Sequence, residues 1–263
     1  MLSDLAILTS LLTSFSIFVP IYAILRKGML KHIDNDNPPK YLYSKSRITK
    51  IVLLNFLLLF LTIFLLYLLP ISVKSRSSLN FYDRFDQIIF GLFIFTSLLT
   101  AYGTGMYIIS IVKEQFTTKL LKTHPEYKTL FITNLFFHGP VSHVLIFSGG
   151  FALFFLTAIL EFAYPISIIK SYLLVYGLEG IIFGLIIYGA QVFNSTWKHQ
   201  LPWMVGIFSS YLFIALLLNI NYLLLPYNLF FLLFGLTLCG GLLSKLLVSK
   251  LTKDSYKYDH LDR

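Results

Sequence analysis

Long hydrophobic runs separated by short polar intervals make up most of this chain. Seven of the runs are long enough to cross a bilayer, whose hydrocarbon core requires about 20 apolar residues of helix. The pattern predicts an all-α, polytopic transmembrane helix bundle. The seven predicted spans cover residues of about 5–25, 51–73, 87–112, 141–168, 171–193, 203–221 and 226–248.

Composition extends this interpretation to the whole chain. Charged residues form 13% of the sequence, against about 25% in soluble globular proteins. No interval between two spans is long enough to bury a hydrophobic core of its own. We therefore expect residues 1–263 to form a single integral membrane domain.

The basic residues between the spans are distributed unequally between the two sides of the predicted membrane. With seven spans, one side collects 17 of the 21 Lys and Arg residues and the other side collects 4. The positive-inside rule then predicts an N-terminus outside and a C-terminus in the cytoplasm, and we expect the protein in the plasma membrane. The net charge of +9 is explained by contact with anionic lipid headgroups, and no soluble module is present that would bind nucleic acid.

The interval before the fourth span contains more helix-forming sequence than a loop requires. Residues 113–123 keep helical spacing of apolar positions, and His124-Pro125 should end that helix. Residues 126–137 then predict a short interfacial helix. Gly139-Pro140 predicts a corner, with the fourth span beginning at residue 140 or 141.

A pair of histidines at this corner is the sharpest chemical feature of the sequence. If Gly139 is the N-cap, His138 precedes the helix and His143 occupies its fourth position, where the two side chains meet. Imidazole is a ligand for zinc, copper and iron, so the pair predicts a transition-metal or haem site. Further candidate ligands are His124, His199 and Glu114, and candidate cofactor-binding residues are Asn134, Ser142, Tyr102 and Tyr107.

Two other interpretations of the histidine pair stay open. Gly-Pro is an ordinary helix start, and an interfacial histidine is stable with one or two hydrogen bonds. The amides at a helix start also favour an anion or a phosphate headgroup. The pair matches neither the His-x-x-x-His spacing nor a zinc-protease motif.

Acidic residues inside the predicted spans form a second candidate site. Glu179 lies inside the fifth span and Glu161 near the outer end of the fourth span, with Tyr176 one turn before Glu179. Ionisable residues within a membrane are candidates for proton relay or cation handling. The alternative is a structural glutamate hydrogen-bonded to a neighbouring helix.

Small and aromatic residues predict how the later spans pack. Gly180 and Gly184 form a small-xxx-small pair, which permits close helix packing. The short connection near Pro226 predicts that the sixth and seventh spans pack antiparallel. Trp197 and Trp203 flank Lys198 and are typical of an interfacial aromatic belt.

Three functional hypotheses follow from these features. The leading one is a metal- or haem-binding membrane enzyme or redox subunit with its site at His138 and His143. The second is a proton-coupled transporter that uses Glu179 and Glu161. The third is a non-catalytic scaffold subunit with membrane-protein partners. Serine-nucleophile, P-loop and dinucleotide-binding motifs are absent from the sequence, so whether the protein is an enzyme stays open.

Overall fold

The computed structural model describes residues 83–123, 128–165, 173–193, 196–218 and 225–251. All regular secondary structure in these ranges is helical. Five helical segments of the described residues are long and apolar enough to cross a membrane. The structure is therefore that of a membrane-embedded helical protein. The first two predicted spans, at about 5–25 and 51–73, lie outside the described residues.

Six α-helices and one π-helical turn occupy the described ranges. The last five predicted spans each overlap a helix, with boundaries that differ by none to eleven residues. The elements are α1 Arg84–Thr123, α2 Lys128–Phe136, the π turn Phe137–Val141, α3 Ser142–Ala163, α4 Leu173–Phe193, α5 Trp197–Leu217 and α6 Pro226–Leu251.

Helix α1 is much longer than a membrane span. Its N-terminus is capped by Asp83, whose carboxylate accepts a hydrogen bond from the backbone N–H of Phe85 at 2.8 Å. The apolar segment ends at Ser110, but the helix continues to Thr123 and reaches 40 residues, or about 60 Å. The predicted continuation of this helix to residue 123 is confirmed.

The predicted corner at Gly139-Pro140 is wrong. A short helix does precede the fourth span, at Lys128–Phe136, but the π turn joins it directly to α3. Val141 has helical φ and ψ angles of −72° and −54°, so the backbone stays helical where an N-cap was expected. Residues Lys128–Ala163 form one 36-residue helical segment.

Contacts along the helices fix their relative directions. Helix α3 runs antiparallel to α1, since Tyr164 contacts Asp86 at one end and His138 contacts Ser110 at the other. A Cβ at Gly180 would meet the carbonyl of Phe230 and one at Gly184 would meet Thr237, so α4 and α6 are parallel. The glycine-based packing predicted for Gly180 and Gly184 is confirmed.

Helices α5 and α6 are antiparallel, as predicted. Tyr211 on α5 contacts Asn228 on α6, and Phe208, one turn earlier, packs against Gly235 further along α6. An aromatic cluster fills the centre of the bundle, where rings interlock at centroid distances of 4.8–6.3 Å. Its main members are Phe151, Phe154, Phe183, Phe230, Phe231 and Phe234.

The outer surface of the described helices is strongly apolar. Leu174, Phe193, Leu216 and Leu217 are each more than two-thirds exposed. Exposure of this surface to water would be energetically unfavourable, whereas contact with lipid acyl chains is favourable. The exposed apolar surface therefore supports the membrane assignment independently of the hydropathy of the sequence.

Candidate functional site

The π turn before α3 places the two histidines on one side of the chain. Pro140 lacks a backbone N–H, and in a regular α-helix its ring would clash with the carbonyl of Phe136. A turn with one extra residue relieves this clash. The backbone N–H of Ser142 accordingly donates to the carbonyl of Phe137, five residues earlier, and the Ser142 hydroxyl donates to the carbonyl of His138.

This geometry brings the imidazole rings together. In a regular α-helix, side chains five residues apart point about 140° away from each other. Across the π turn, the ring centroids of His138 and His143 are 5.8 Å apart. Both residues are buried, with exposed fractions of 9% and 5%. The meeting of the two side chains is confirmed, although its cause is the π turn and not a helix cap.

Tyr107 of α1 completes a cluster of three rings. Its ring stacks on His138 at 5.0 Å and lies tilted against His143 at 5.2 Å. Its own exposed fraction is 5%. We refer to Tyr107, Ser110, His138 and His143 as the histidine cluster.

Ser110 fixes the orientation of His138. The Ser110 hydroxyl lies 2.8 Å from Nδ1 of His138 and donates to the carbonyl of Tyr107 at 2.8 Å. A hydroxyl has a single hydrogen, so when Ser110 uses it for the Tyr107 carbonyl, Nδ1 of His138 is the donor in the other bond. The lone pair of His138 is then on Nε2.

The candidate cofactor-binding residues divide into two groups. Asn134 is buried and donates from Nδ2 to the backbone carbonyl of Ser110 at 3.0 Å. The Ser142 hydroxyl is bonded to the backbone carbonyl of His138. Tyr102, in contrast, is 65% exposed and lies on another face of α1 from Tyr107. The structure therefore brings Asn134, Ser142 and Tyr107 to the histidine cluster and leaves Tyr102 on the surface.

The additional ligands expected from the sequence do not complete a metal site in the described part of the chain. No group of three or more His, Cys, Asp or Glu side chains converges among the described residues. His199 is partly exposed in the first turn of α5 and belongs to no such group. His124 and the side chain of Glu114 lie outside the described part.

The opposite end of the bundle contains a fully buried carboxylate. Eighteen residues, or about 27 Å of helix, separate His143 from Glu161 on α3. The Glu161 carboxylate accepts hydrogen bonds from the backbone N–H of Tyr227 at 3.3 Å and of Asn228 at 2.8 Å. The Asn228 side-chain amide donates a third bond at 2.8 Å. Glu161 thus caps the N-terminus of α6 from a neighbouring helix.

Asn228 extends this network to a third helix. Its Nδ2 also donates to the carbonyl of Ala158 at 3.0 Å, and its Oδ1 accepts from the Tyr211 hydroxyl at 3.1 Å. The partial positive charge of the α6 N-terminus stabilises the carboxylate. We refer to Glu161, Tyr211, Tyr227 and Asn228 as the carboxylate cluster.

The other two members of the predicted acidic site lie beside this cluster. Tyr176 is fully buried, and its ring packs edge-on against Tyr227 at 6.0 Å. Glu179 follows one turn later on α4 and is half-buried, with its Oε2 atom shielded from solvent. The structure therefore gathers Glu161, Tyr176 and Glu179 at one end of the bundle, opposite the histidine cluster.

A second acidic residue, Asp86, connects two helices at the same end of the bundle as the carboxylate cluster. The Tyr164 hydroxyl donates to Oδ1 of the buried Asp86 at 2.7 Å, which ties the end of α3 to the start of α1. This hydrogen bond, together with burial and the charges of Asp86 and Asp83, raises the pKa of Tyr164 from 10.0 to about 12.

Two residues that position these groups had no signal of their own in the sequence. Ser110 lies 28 positions from His138, and nothing in the sequence distinguishes it from the other serines of the predicted spans. Asn228 lies 67 positions from Glu161. A signal for the second pair did exist. A membrane helix that begins at Pro226 leaves the amides of its first turn without partners in their own helix, and these amides require an acceptor from elsewhere.

Comparison with known proteins adds no further constraint. The chain matches no protein-family model, no curated protein and no solved structure.

Proposed function

We propose that this integral membrane protein binds a transition-metal ion through His138 and His143. The observation that supports this proposal is the pair of buried imidazoles 5.8 Å apart, one of them fixed through Nδ1 by a serine. Histidines that ligate metals commonly donate their second ring N–H to an oxygen acceptor, which sets the tautomer and the ring orientation. The Ser110 hydroxyl, 2.8 Å from Nδ1, is an oxygen acceptor in the right place for His138 to do so.

The distance between the rings is compatible with a shared ion. A metal about 2 Å from one nitrogen of each ring lies about 3 Å from each ring centre, so the two centres are at most about 6 Å apart. The 5.8 Å separation satisfies this limit. Catalytic zinc sites usually have three protein ligands and one open position, so an ion held by two histidines leaves two positions for water or substrate.

The same geometry favours a single ion over haem. The Tyr107 ring packs against both imidazoles, at 5.0 and 5.2 Å. A porphyrin bound to either histidine would have to displace this ring, whereas an ion needs no such rearrangement. We therefore narrow the expected cofactor to a mononuclear ion such as zinc, copper or iron.

The position of the site suits a substrate that arrives through the lipid. Phe136 and Phe137, directly before His138, are 55% and 44% exposed on the apolar surface. A lipid-soluble molecule that diffuses in the bilayer would meet these rings one residue from the imidazoles. The proposed activity is accordingly that of a membrane metalloenzyme or redox subunit acting on an apolar molecule.

Metal analysis of the purified full-length chain tests the proposal. We expect about one ion per chain in the wild type and loss of that ion in the His138→Ala/His143→Ala double variant. His260→Ala, which removes an imidazole near the C-terminus, is the matched control and should retain the ion. Equal metal content in the wild type and the double variant would disprove the proposal.

Proton-coupled transport is the second candidate, because Glu179 places an acidic side chain within the hydrocarbon span of α4. Glu161 contributes less to this candidate, since its carboxylate is engaged by the start of α6. Flux in proteoliposomes that drops in Glu179→Gln would support transport. Unchanged flux would remove this candidate.

A further inference from the structure

A third polar cluster lies where α4 ends and α5 begins. Trp197, the first residue of α5, is fully buried within the bundle, and its interfacial position stays a prediction. The ammonium groups of Lys198 and Lys245 lie 5.6 and 5.7 Å from its ring centre. Two cations from different helices therefore surround one indole. We refer to Gln191, Trp197, Lys198, Gln200 and Lys245 as the lysine–tryptophan cluster.

The register between α4 and α6 brings Gln191 to the same level along the bundle as Lys245. Gly184 contacts Thr237 and, one turn later, Tyr188 contacts Gly241. Because the two helices are parallel, this register continues to Gln191 at the level of residues 244 and 245. The backbone carbonyl of Gln191 also accepts the N–H of Thr196, the residue before Trp197, at 3.3 Å.

Gln191 is the least satisfied side chain of this cluster. It is fully buried, and neither amide atom has a hydrogen-bond partner within the part of the chain that the structure describes. Gln200 is also fully buried and donates from Nε2 to the Thr196 hydroxyl at 2.7 Å, while its Oε1 has no partner in that same part. Leaving buried amide groups without partners is costly, so the cluster is suited to a polar group that enters between the helices.

The surroundings define the chemistry of that group. Two ammonium groups, the N–H groups at the start of the 21-residue helix α5 and the Gln191 amide all favour an anion that accepts several hydrogen bonds. The surface between Lys245 and the middle of α6 is apolar, because Leu236 and Leu243 are exposed there. Acyl chains fit this surface, whereas a free anion gains nothing from it.

We propose that the lysine–tryptophan cluster binds the phosphate group of an anionic phospholipid headgroup. The lysines neutralise the phosphate, Gln191 donates to it, and the acyl chains extend along the exposed face of α6. A hydroxyl on the headgroup gives Gln200 Oε1 a donor. This site is separate from the histidine cluster and does not depend on metal binding.

Lipid binding to the purified full-length protein tests the proposal. Phosphatidylglycerol and phosphatidylcholine are titrated into detergent-solubilised protein, and native mass spectrometry counts the bound lipids. We expect one tightly bound phosphatidylglycerol, with affinity reduced about tenfold or more in Lys198→Gln/Lys245→Gln. Lys250→Gln, on the same helix and exposed, is the matched charge control and should bind as the wild type does.

Two further measurements separate the alternatives. Trp197 fluorescence in a Trp203→Phe background should respond to phosphatidylglycerol, and Gln191→Leu should weaken binding while the protein stays folded. Equal loss in Lys250→Gln would show general electrostatic attraction to the surface, and equal binding of both lipids would show that the headgroup charge does not matter. Either result would overturn the proposal. If inorganic phosphate alone changes Trp197 fluorescence, and the same lysines are required, the site binds free phosphate. That result would overturn the proposal of a lipid ligand.

Discussion

The two ends of the bundle treat their buried polar groups differently. At the carboxylate cluster, Glu161 receives three hydrogen bonds from the start of α6, and Asn228 carries the network on to Tyr211. At the histidine cluster, the contacts are mainly ring against ring, and Ser110 holds only one nitrogen of His138. The first arrangement joins three helices through hydrogen bonds, and the second packs two imidazoles against a tyrosine ring. A buried ionisable group is therefore a functional candidate only after its hydrogen bonds have been counted.

Glu161 gives the largest test of this contrast. Replacing it with Leu leaves the start of α6 without its acceptor in the protein interior, and we expect the free energy of unfolding to fall by about 3 kcal/mol. Glu161→Gln keeps one acceptor oxygen and should cost less. Denaturation in mixed micelles measures both. Metal content in the remaining folded fraction should be unchanged, and loss of metal there would mean that the two ends are coupled.

Gly103 tests the packing that supports the histidine end. A Cβ at this position would lie 2.6 Å from Cβ of Leu145 and 3.1 Å from backbone atoms of α3. Gly103→Ala should therefore push α1 away from α3, lower stability by about 2 kcal/mol and weaken metal binding by displacing Tyr107. Gly105→Ala has nothing within 4 Å of its Cβ and is the matched control. Equal behaviour of the two variants in thermal unfolding would contradict this packing.

Replacement of Ser110 tests whether the orientation of His138 affects metal binding, apart from any general loss of stability. Ser110→Ala removes the partner of His138 Nδ1, and we expect metal affinity to fall about 10- to 100-fold. Thr104→Ala removes a buried hydroxyl that bonds only within its own helix, to the carbonyl of Thr100 at 2.8 Å. Titration of a fluorescent metal competitor compares the two. If both variants bind metal equally well, Ser110 has no role in positioning the imidazole.

Tyr164 gives the smallest effect, and it depends on pH. Its pKa is raised from 10.0 to about 12 in the folded protein, chiefly by the hydrogen bond to Asp86. A raised pKa means that the neutral hydroxyl stabilises the fold below pH 10, and that this stabilisation is lost as the pH rises through 12. The difference in unfolding midpoint between the wild type and Tyr164→Phe should shrink across that window. A difference that stays constant from pH 8 to 12 would show that the hydrogen bond does not contribute.

The later helices were predictable because a membrane allows few backbone arrangements. Spans predicted at about 171–193 and 226–248 correspond to helices Leu173–Phe193 and Pro226–Leu251, since backbone groups in hydrocarbon must bond within the segment. The close approach at Gly180 was also predictable, because only small residues allow it. The start of α5 was predicted too late. Its first turn contains Lys198 and His199. A search for continuous apolar residues leaves these two out, although they belong to the helix.

The local geometry of the histidine site was not predictable in the same way. Gly139-Pro140 is a frequent helix break, and nothing in the sequence distinguishes a break from a turn widened by one residue. The choice depends on packing against α1, where Ser110 and Tyr107 hold His138. The predicted proximity of His138 and His143 was correct for a different physical reason, and their metal binding stays a prediction.

The extra residue in the turn Phe137–Val141 also bears on how relatives of this chain should be recognised. A helix advances about 100° per residue, so deletion of Gly139 would rotate everything before the turn by that angle relative to α3. Both hydrophobic stretches would survive, and a hydropathy plot would look the same. His138 would nevertheless face away from His143, so a homologue shorter by one position here would share the architecture without sharing the chemistry.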